Sequence, residues 1–117
     1  MPDLSDFRPK NANELFDKIL EEIGAKVGGD FTSFQSEVKS HLKSVAQKAW
    51  KVKIGLEKGT ISPPDADLAL HTQELALNNI LLYVELMPYV LAQDVLETVF
   101  AVIAAAIKNL TGVPLKF

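Results

Sequence analysis

The most apolar stretch of the chain is residues 75–107, LALNNILLYVELMPYVLAQDVLETVFAVIAAAI, in which 25 of 33 positions are apolar. A membrane-spanning helix needs about 18 or more apolar residues with few charges. Glu85, Asp94 and Glu97 divide this stretch into charge-free runs of at most ten residues. We therefore interpret it as helix that is buried in a protein core, and the remainder of the chain as helices that cover it.

The apolar stretch must be divided between two helices. A single helix through the whole region would have 48 residues and a length of about 72 Å, which exceeds the size of such a domain. Pro88 removes a backbone hydrogen bond and disfavours helical geometry in the residue before it. Asp94 and Glu97 have the spacing of a capping box, which would start a new helix. The sequence predicts helix 3 over about 63–87 and helix 4 over about 95–110.

Two further helices are predicted in the first half of the chain. Asn11 and Glu14 form a possible capping box before the apolar positions of helix 1, over about 12–27. Helix 2 is predicted over about 32–58, where Gly59 ends it. The charged residues of helix 1 are expected on its outer face: Asp17, Lys18, Glu21 and Glu22.

Composition indicates one globular domain and excludes two kinds of scaffold. The chain has 117 residues, of which 48% are hydrophobic and 23% charged, so it can bury one core. It has no cysteine, which excludes disulfides and thiolate metal sites. We predict an all-α, four-helix bundle-like single domain over 11–112, with an N-terminal tail over 1–10 and an extended C-terminal tail over 113–117.

No motif with a recognisable chemistry is visible. The Glu-x-x-His spacing of di-iron bundles occurs once and in reverse order, as His71 and Glu74, so we expect a solvated or hydrogen-bonded pair there. Glu85 is the best candidate for a carboxylate with a shifted pKa, but we expect it to reach solvent or a lysine of helix 2. The sequence therefore predicts no catalytic residue, metal ligand or cofactor, and a protein that is not an enzyme.

Helix 2 is predicted to have a basic outer face with a tryptophan beside it. Its members are Lys39, Lys43, Lys48, Lys51, Lys53 and Trp50. Lysines of this kind contact phosphates in nucleic-acid-binding proteins, and lysine with tryptophan is typical of membrane-surface helices. The chain has a net charge of −3, which does not favour nucleic acid. We expect a solvated face that pairs with acids of helix 1 or of the C-terminal half.

Helix 4 is apolar around most of its circumference, so most of its sides must be covered. A neighbouring copy of the chain is one way to cover it, and a buried amide can fix helix register at such an interface. We therefore predict an interface made by residues of helix 4, an asparagine of helix 3 and the last residue: Leu96, Val99, Phe100, Val102, Ile103, Ile107, Asn78 and Phe117. The alternative for Asn78 and Asn79 is that one is exposed and the other hydrogen-bonded.

These features favour a non-enzymatic structural or adaptor protein that acts by self- or hetero-assembly, with a homo-oligomer or a larger assembly as its state. By association alone, such chains suggest a subunit of a virion or a secretion-type apparatus. No export signal is visible, so we expect a cytoplasmic location or an assembled particle.

Two alternatives stay open. In one, helices 3 and 4 open as an apolar hairpin on a membrane surface. In the other, a small ligand-binding protein or enzyme has a pocket between helices 3 and 4, where Glu85, Tyr83, Tyr89 or His71 converge.

Overall fold

Four α-helices follow one another in this computed structural model, which describes residues 4–28, 32–84 and 87–115. They are α1 (Ala12–Val27), α2 (Thr32–Lys58), α3 (Pro63–Leu82) and α4 (Tyr89–Thr111). No β-strand occurs within these described ranges. The predicted all-α, four-helix bundle-like fold is confirmed.

Local side-chain caps and a glycine set the helix ends. The Asn11 side chain accepts a hydrogen bond from the Glu14 amide at 2.9 Å, and Ser62 accepts one from the Asp65 amide at 3.3 Å. Each bond satisfies an amide that has no partner within its own helix. At the other end of the chain, Gly112 follows α4 with a φ of 78° and donates to the Lys108 carbonyl, a conformation that glycine adopts without steric cost.

The break between the last two helices differs from the prediction. α3 ends at Leu82 rather than near 87, because the next amides make turn bonds, such as Tyr83 N–H to the Ile80 carbonyl at 3.1 Å. α4 begins at Tyr89 rather than near 95, with Pro88 as its N-cap. Proline has no N–H to satisfy there, and its carbonyl accepts the first helical bond. The predicted cap, Asp94, lies inside α4.

The helices pack so that α2 and α4 each contact all three others, whereas α1 and α3 pack against α2 and α4. The molecule measures 42 × 26 × 21 Å, and α2 alone spans about 40 Å at 1.5 Å per residue. Every helix contributes a side chain with no solvent exposure: Ile19, Leu42, Leu70 and Ile103. The core therefore runs along the axis of the bundle, with α4 at its centre.

Both ends of the described chain lie against this bundle. The Asn109 side chain of α4 donates to the carbonyl oxygens of Leu4 and Phe7, at 2.8 and 2.9 Å. Leu4 and Phe7 also pack against the core, as does Leu115 beyond the end of α4. The described parts of both tails therefore contact their own chain.

Candidate functional site

The six α4 residues predicted at an interface are buried in the core of the single chain. Leu96 has the greatest exposure among them, at 9%, and Val99 and Ile103 have none. The other three are Phe100, Val102 and Ile107, with 1 to 3%. The sequence prediction assumed that one short chain cannot cover such a helix, but α1, α2 and α3 together do so. A surface for assembly must therefore be sought on other residues.

The two asparagines of α3 have different environments. Asn78 is half-buried, and its side-chain oxygen accepts a hydrogen bond from Gln93 of α4 at 3.2 Å. Asn79 is exposed. The alternative of one hydrogen-bonded and one exposed asparagine is thus confirmed, and Asn78 joins two helices of the same chain. Phe117, the last predicted interface residue, lies outside the described residues.

A different apolar surface is exposed on α3. Leu68, Leu75 and Leu82 are 66%, 52% and 53% exposed, and they lie seven residues apart. Thr72 and Asn79, also exposed, fall between them and give steps of four, three, four and three. This is the spacing that keeps side chains on one face of a helix in a coiled coil. We refer to these five residues as the exposed leucine face.

The opposite side of α3 packs into the bundle. Its buried residues are Ala66, Leu70, Leu77 and Leu81. α3 is therefore apolar on two sides, although only one side is covered by the chain itself. Asp67 and Glu74 occupy other positions of α3, whereas Asp65 lies one heptad before Thr72, on the same side, in the first turn of the helix. The exposed leucine face carries no charge.

Exposed aromatic residues continue the apolar surface at the end of α3. Tyr83, directly after the helix, is 89% exposed. Across the turn, Tyr89 and Val90 in the first turn of α4 are 67% and 69% exposed. Together with the three leucines, these are the exposed large hydrophobic side chains of the described residues. They are concentrated on one helix and one end of the bundle.

The basic face predicted on α2 is largely solvated. Lys39, Lys43, Lys48 and Lys51 are exposed. Lys53 contacts Glu57 of the same helix at 2.7 Å and lies 4.3 Å from the centre of the Trp50 ring. Trp50 is half-buried and packs against the core. In the described part of the chain, Lys26 of α1 makes ion pairs with another helix, since it lies 3.7 Å from Glu97 and 4.0 Å from Asp94 of α4.

Three of the four residues predicted to line a pocket between α3 and α4 are described by the structure, and all three are exposed. Tyr83 and Tyr89 point to solvent, and His71 Nδ1 is 3.2 Å from Glu74 Oε1 on the surface of α3. The expected His71–Glu74 pair is confirmed. Glu85 lies outside the described residues. No group of His, Cys, Asp and Glu with metal-ligand geometry occurs in the described part of the chain.

The described residues also form cavities elsewhere in the bundle. One is an open groove between α1 and α2, lined by Asn13, Asp17, Lys39 and Lys43 among others. The second is smaller, about 160 Å³, and lies between α1 and α4 beside Leu4. Neither is lined by the tyrosines or by His71.

Comparisons with family models, curated proteins and solved structures find no match to this chain. By length and composition alone, α4 is apolar enough to cross a membrane, and half of its most apolar 18-residue window is buried inside the fold. The core helix of a water-soluble protein has the same properties.

Proposed function

We propose that this protein is a non-enzymatic structural or adaptor protein that assembles with a second copy of itself through the exposed leucine face of α3. One observation carries the proposal: Leu68, Leu75 and Leu82 have coiled-coil spacing and more than half of each side chain is exposed. A subunit of a larger particle, of the virion or secretion-apparatus type suggested by the sequence, is a setting in which such assembly has a use.

The pattern on this face is self-complementary. With leucine at the d positions, Thr72 and Asn79 fall at the a positions of the heptad. In a parallel pair of helices, each a residue meets the same residue of the partner, and a single asparagine at a fixes register and favours two strands. Asn79 would therefore meet Asn79 of the second copy, and the two amides can satisfy each other.

Thr72, the second residue at an a position of the heptad, needs no polar partner in the other copy. The Thr72 hydroxyl donates to the Leu68 carbonyl at 2.9 Å, so its hydrogen is already used within the helix. Small residues flank the face, since Ala76 is exposed and Ala69 half-buried, and a second helix can approach closely. The five residues of the face carry no charge, and the acidic a position before them, Asp65, lies at the exposed start of α3, where water screens it.

The exposed apolar area, summed over all six side chains, approaches what one partner contributes to a dimer interface. A stable interface buries about 800 Å² on each partner. The six exposed hydrophobic side chains supply on the order of 600 Å², given that a whole aromatic side chain buries about 150–250 Å². Thr72, Asn79 and Ala76 add to this value. Exposed apolar patches of this size mark interaction sites.

The direct test is the molar mass in solution, measured by light scattering over a dilution series. We expect the native chain to be a dimer at about 100 µM, and Leu75→Asp to be a folded monomer because two carboxylates would be buried together. Gln47→Asp, on the exposed side of α2, is the matched control and should remain dimeric. A native chain that is monomeric at every concentration contradicts the proposal.

The relative orientation of the two α3 helices can be tested by disulfide cross-linking. The native chain has no cysteine that could react in place of an introduced one. In a parallel dimer, Asn79→Cys places two thiols opposite each other, and mild oxidation should give a disulfide-linked dimer. In an antiparallel pair these thiols are too far apart for a bond, since disulfides need Cα atoms within about 7 Å. Gln47→Cys should stay monomeric on a non-reducing gel in the same conditions.

A further inference from the structure

The open groove between α1 and α2 has a polar and basic wall. Its volume of about 680 Å³ is many times the share of one water molecule in the liquid, about 30 Å³. Four residues of α2 line it: Ser36, Lys39, Ser40 and Lys43. They occupy positions i, i+3, i+4 and i+7, which lie on one face of a helix. Two hydroxyls and two ammonium groups therefore share the same wall.

These four groups have no partner in the part of the chain that the structure describes. Lys39 and Lys43 make no ion pair there. The hydroxyls of Ser36 and Ser40 make no hydrogen bond there, in contrast to that of Thr98, which donates to the backbone of its own helix. Two lysines four positions apart on a helix also repel each other. An anion that binds between them would remove this repulsion.

The number of donors on this wall favours a phosphate over a carboxylate. A phosphate monoester carries a charge of about −1.5 to −2 at pH 7 and three acceptor oxygens, which match two ammonium groups and two hydroxyls. Lysine binds phosphate as a point charge, and serine hydroxyls donate to phosphate oxygens. A carboxylate has one charge and would leave one lysine without compensation.

The opposite wall, formed by α1, selects what the phosphate is attached to. Asp17 lines this wall and is exposed, so it repels a free phosphate ion but accepts hydrogen bonds from hydroxyl groups. Asn13 beside it has an amide that donates and accepts. An ammonium group would also be attracted to Asp17, but the two lysines of the same groove oppose it. We infer that this groove binds a phosphorylated sugar or polyol, with its phosphate at Lys39 and Lys43 and its hydroxyls at Asp17.

The experiment uses glucose 6-phosphate as the probe, with glucose and inorganic phosphate as matched controls, and amide NMR shifts of the full chain as the readout. We expect the probe to shift the amides of Ser36, Lys39 and Lys43. It should bind about tenfold tighter than inorganic phosphate, because hydrogen bonds to a charged acceptor are added, and glucose should shift none of these amides. No shift with the probe at millimolar concentration, or equal affinity for inorganic phosphate, overturns the inference. Tighter binding of O-phosphoethanolamine than of glucose 6-phosphate would overturn the assignment of hydroxyls to Asp17.

A pair of double variants separates the groove from the rest of the basic face. Lys39→Gln with Lys43→Gln should weaken binding of glucose 6-phosphate by about tenfold or more. Lys48→Gln with Lys51→Gln removes the same charge from the same helix, at exposed positions that do not line the groove, and should bind as the native chain does. Equal losses in the two double variants would mean a general attraction of anions to α2, which contradicts the inference.

The role of Asp17 has a test in which the two ligands respond in opposite directions. In Asp17→Ala, glucose 6-phosphate should bind more weakly because its hydroxyls lose their acceptor, whereas inorganic phosphate should bind more tightly because a repulsion is removed. Asp17 is exposed, so the variant should remain folded. If both ligands bind more tightly, the sugar does not reach the α1 wall and the inference is wrong. These measurements do not depend on dimer formation, which we place on α3.

Discussion

α3 and α4 are both rich in apolar residues, but the other helices cover them to different extents. α4 packs against three helices and buries eleven residues, whereas α3 packs against two helices and leaves three leucines exposed. Apolar content was highest in α4, yet the uncovered surface is on α3. Between these two helices, the number of neighbours rather than the apolar content decides which surface stays exposed.

The threonines of the two helices make the same hydrogen bond, although they lie in different surroundings. In α4 the hydroxyls of Thr98 and Thr111 donate to carbonyls one turn back, so they can lie against the core. In α3 Thr72 does the same on an exposed face. A threonine whose hydroxyl is bonded to its own helix can be buried without leaving a donor unsatisfied. Thr72 is therefore compatible with the burial that we propose for the exposed leucine face in the dimer.

The largest effect is expected from a charge placed in the centre of α4. Ile103 has no solvent exposure, and an aspartate there would lie in the core without a partner. We expect Ile103→Asp to lose more than about 4 kcal/mol and to be unfolded at 25 °C, as followed by circular dichroism. Ile103→Val should lose about 0.5–1.5 kcal/mol and remain folded. If the Ile103→Asp chain is folded and differs from the native chain only in oligomeric state, Ile103 lies at an interface between copies and not in the core of one chain.

A pair of equal truncations on α3 compares its two faces directly. Leu70 is buried and Leu75 is 52% exposed. Leu70→Ala should lower the free energy of unfolding by about 2–5 kcal/mol. Leu75→Ala should change the stability of the monomer by about 0.5 kcal/mol or less and should raise the dissociation constant of the dimer. Urea unfolding at low concentration, where the protein is monomeric, measures the first quantity, and sedimentation equilibrium measures the second. Equal losses of monomer stability would mean that the face is covered by the chain itself.

Local signals made the starts of α1 and α3 predictable, whereas the start predicted for the last helix, near 95, was wrong. The caps at Asn11 and Ser62 depend on residues three positions away, and both bonds are present. The end of α3 was missed because it depends on how the chain turns toward α4, which neighbouring residues alone do not specify. Pro88 was correctly expected to interrupt the helix, but it begins α4 rather than ending α3.

The candidate sites were less predictable, because exposure depends on the whole packing arrangement. The heptad spacing of Leu68, Leu75 and Leu82 is visible in the sequence, but the buried leucines between them obscure it. For Glu22 the pattern of charges on α1 predicted solvent exposure. The structure buries it because α4 and the Leu4 segment close over that turn, which no spacing within α1 reveals.

The ion pair between Lys18 and Glu22 within α1 can be tested by pH, with a smaller effect. The hydrogen bond to Glu22 is the main cause that raises the pKa of Lys18 above its ordinary value of 10.5. A lysine whose pKa is raised on folding stabilises the folded state below the unfolded pKa, and this contribution disappears as pH rises through the folded pKa. The difference in unfolding free energy between the native chain and Lys18→Met should therefore be constant from pH 7 to about 10 and decrease above it.

Lys48→Met, on the exposed face of α2, is the control, and its difference in unfolding free energy should not decrease in this way above about pH 10. If the Lys18→Met difference is instead unchanged in strongly alkaline solution, Lys18 stabilises α1 through the packing of its methylene groups, and not through its charge, which lies beside Glu22 and 5.8 Å from the centre of the Phe7 ring.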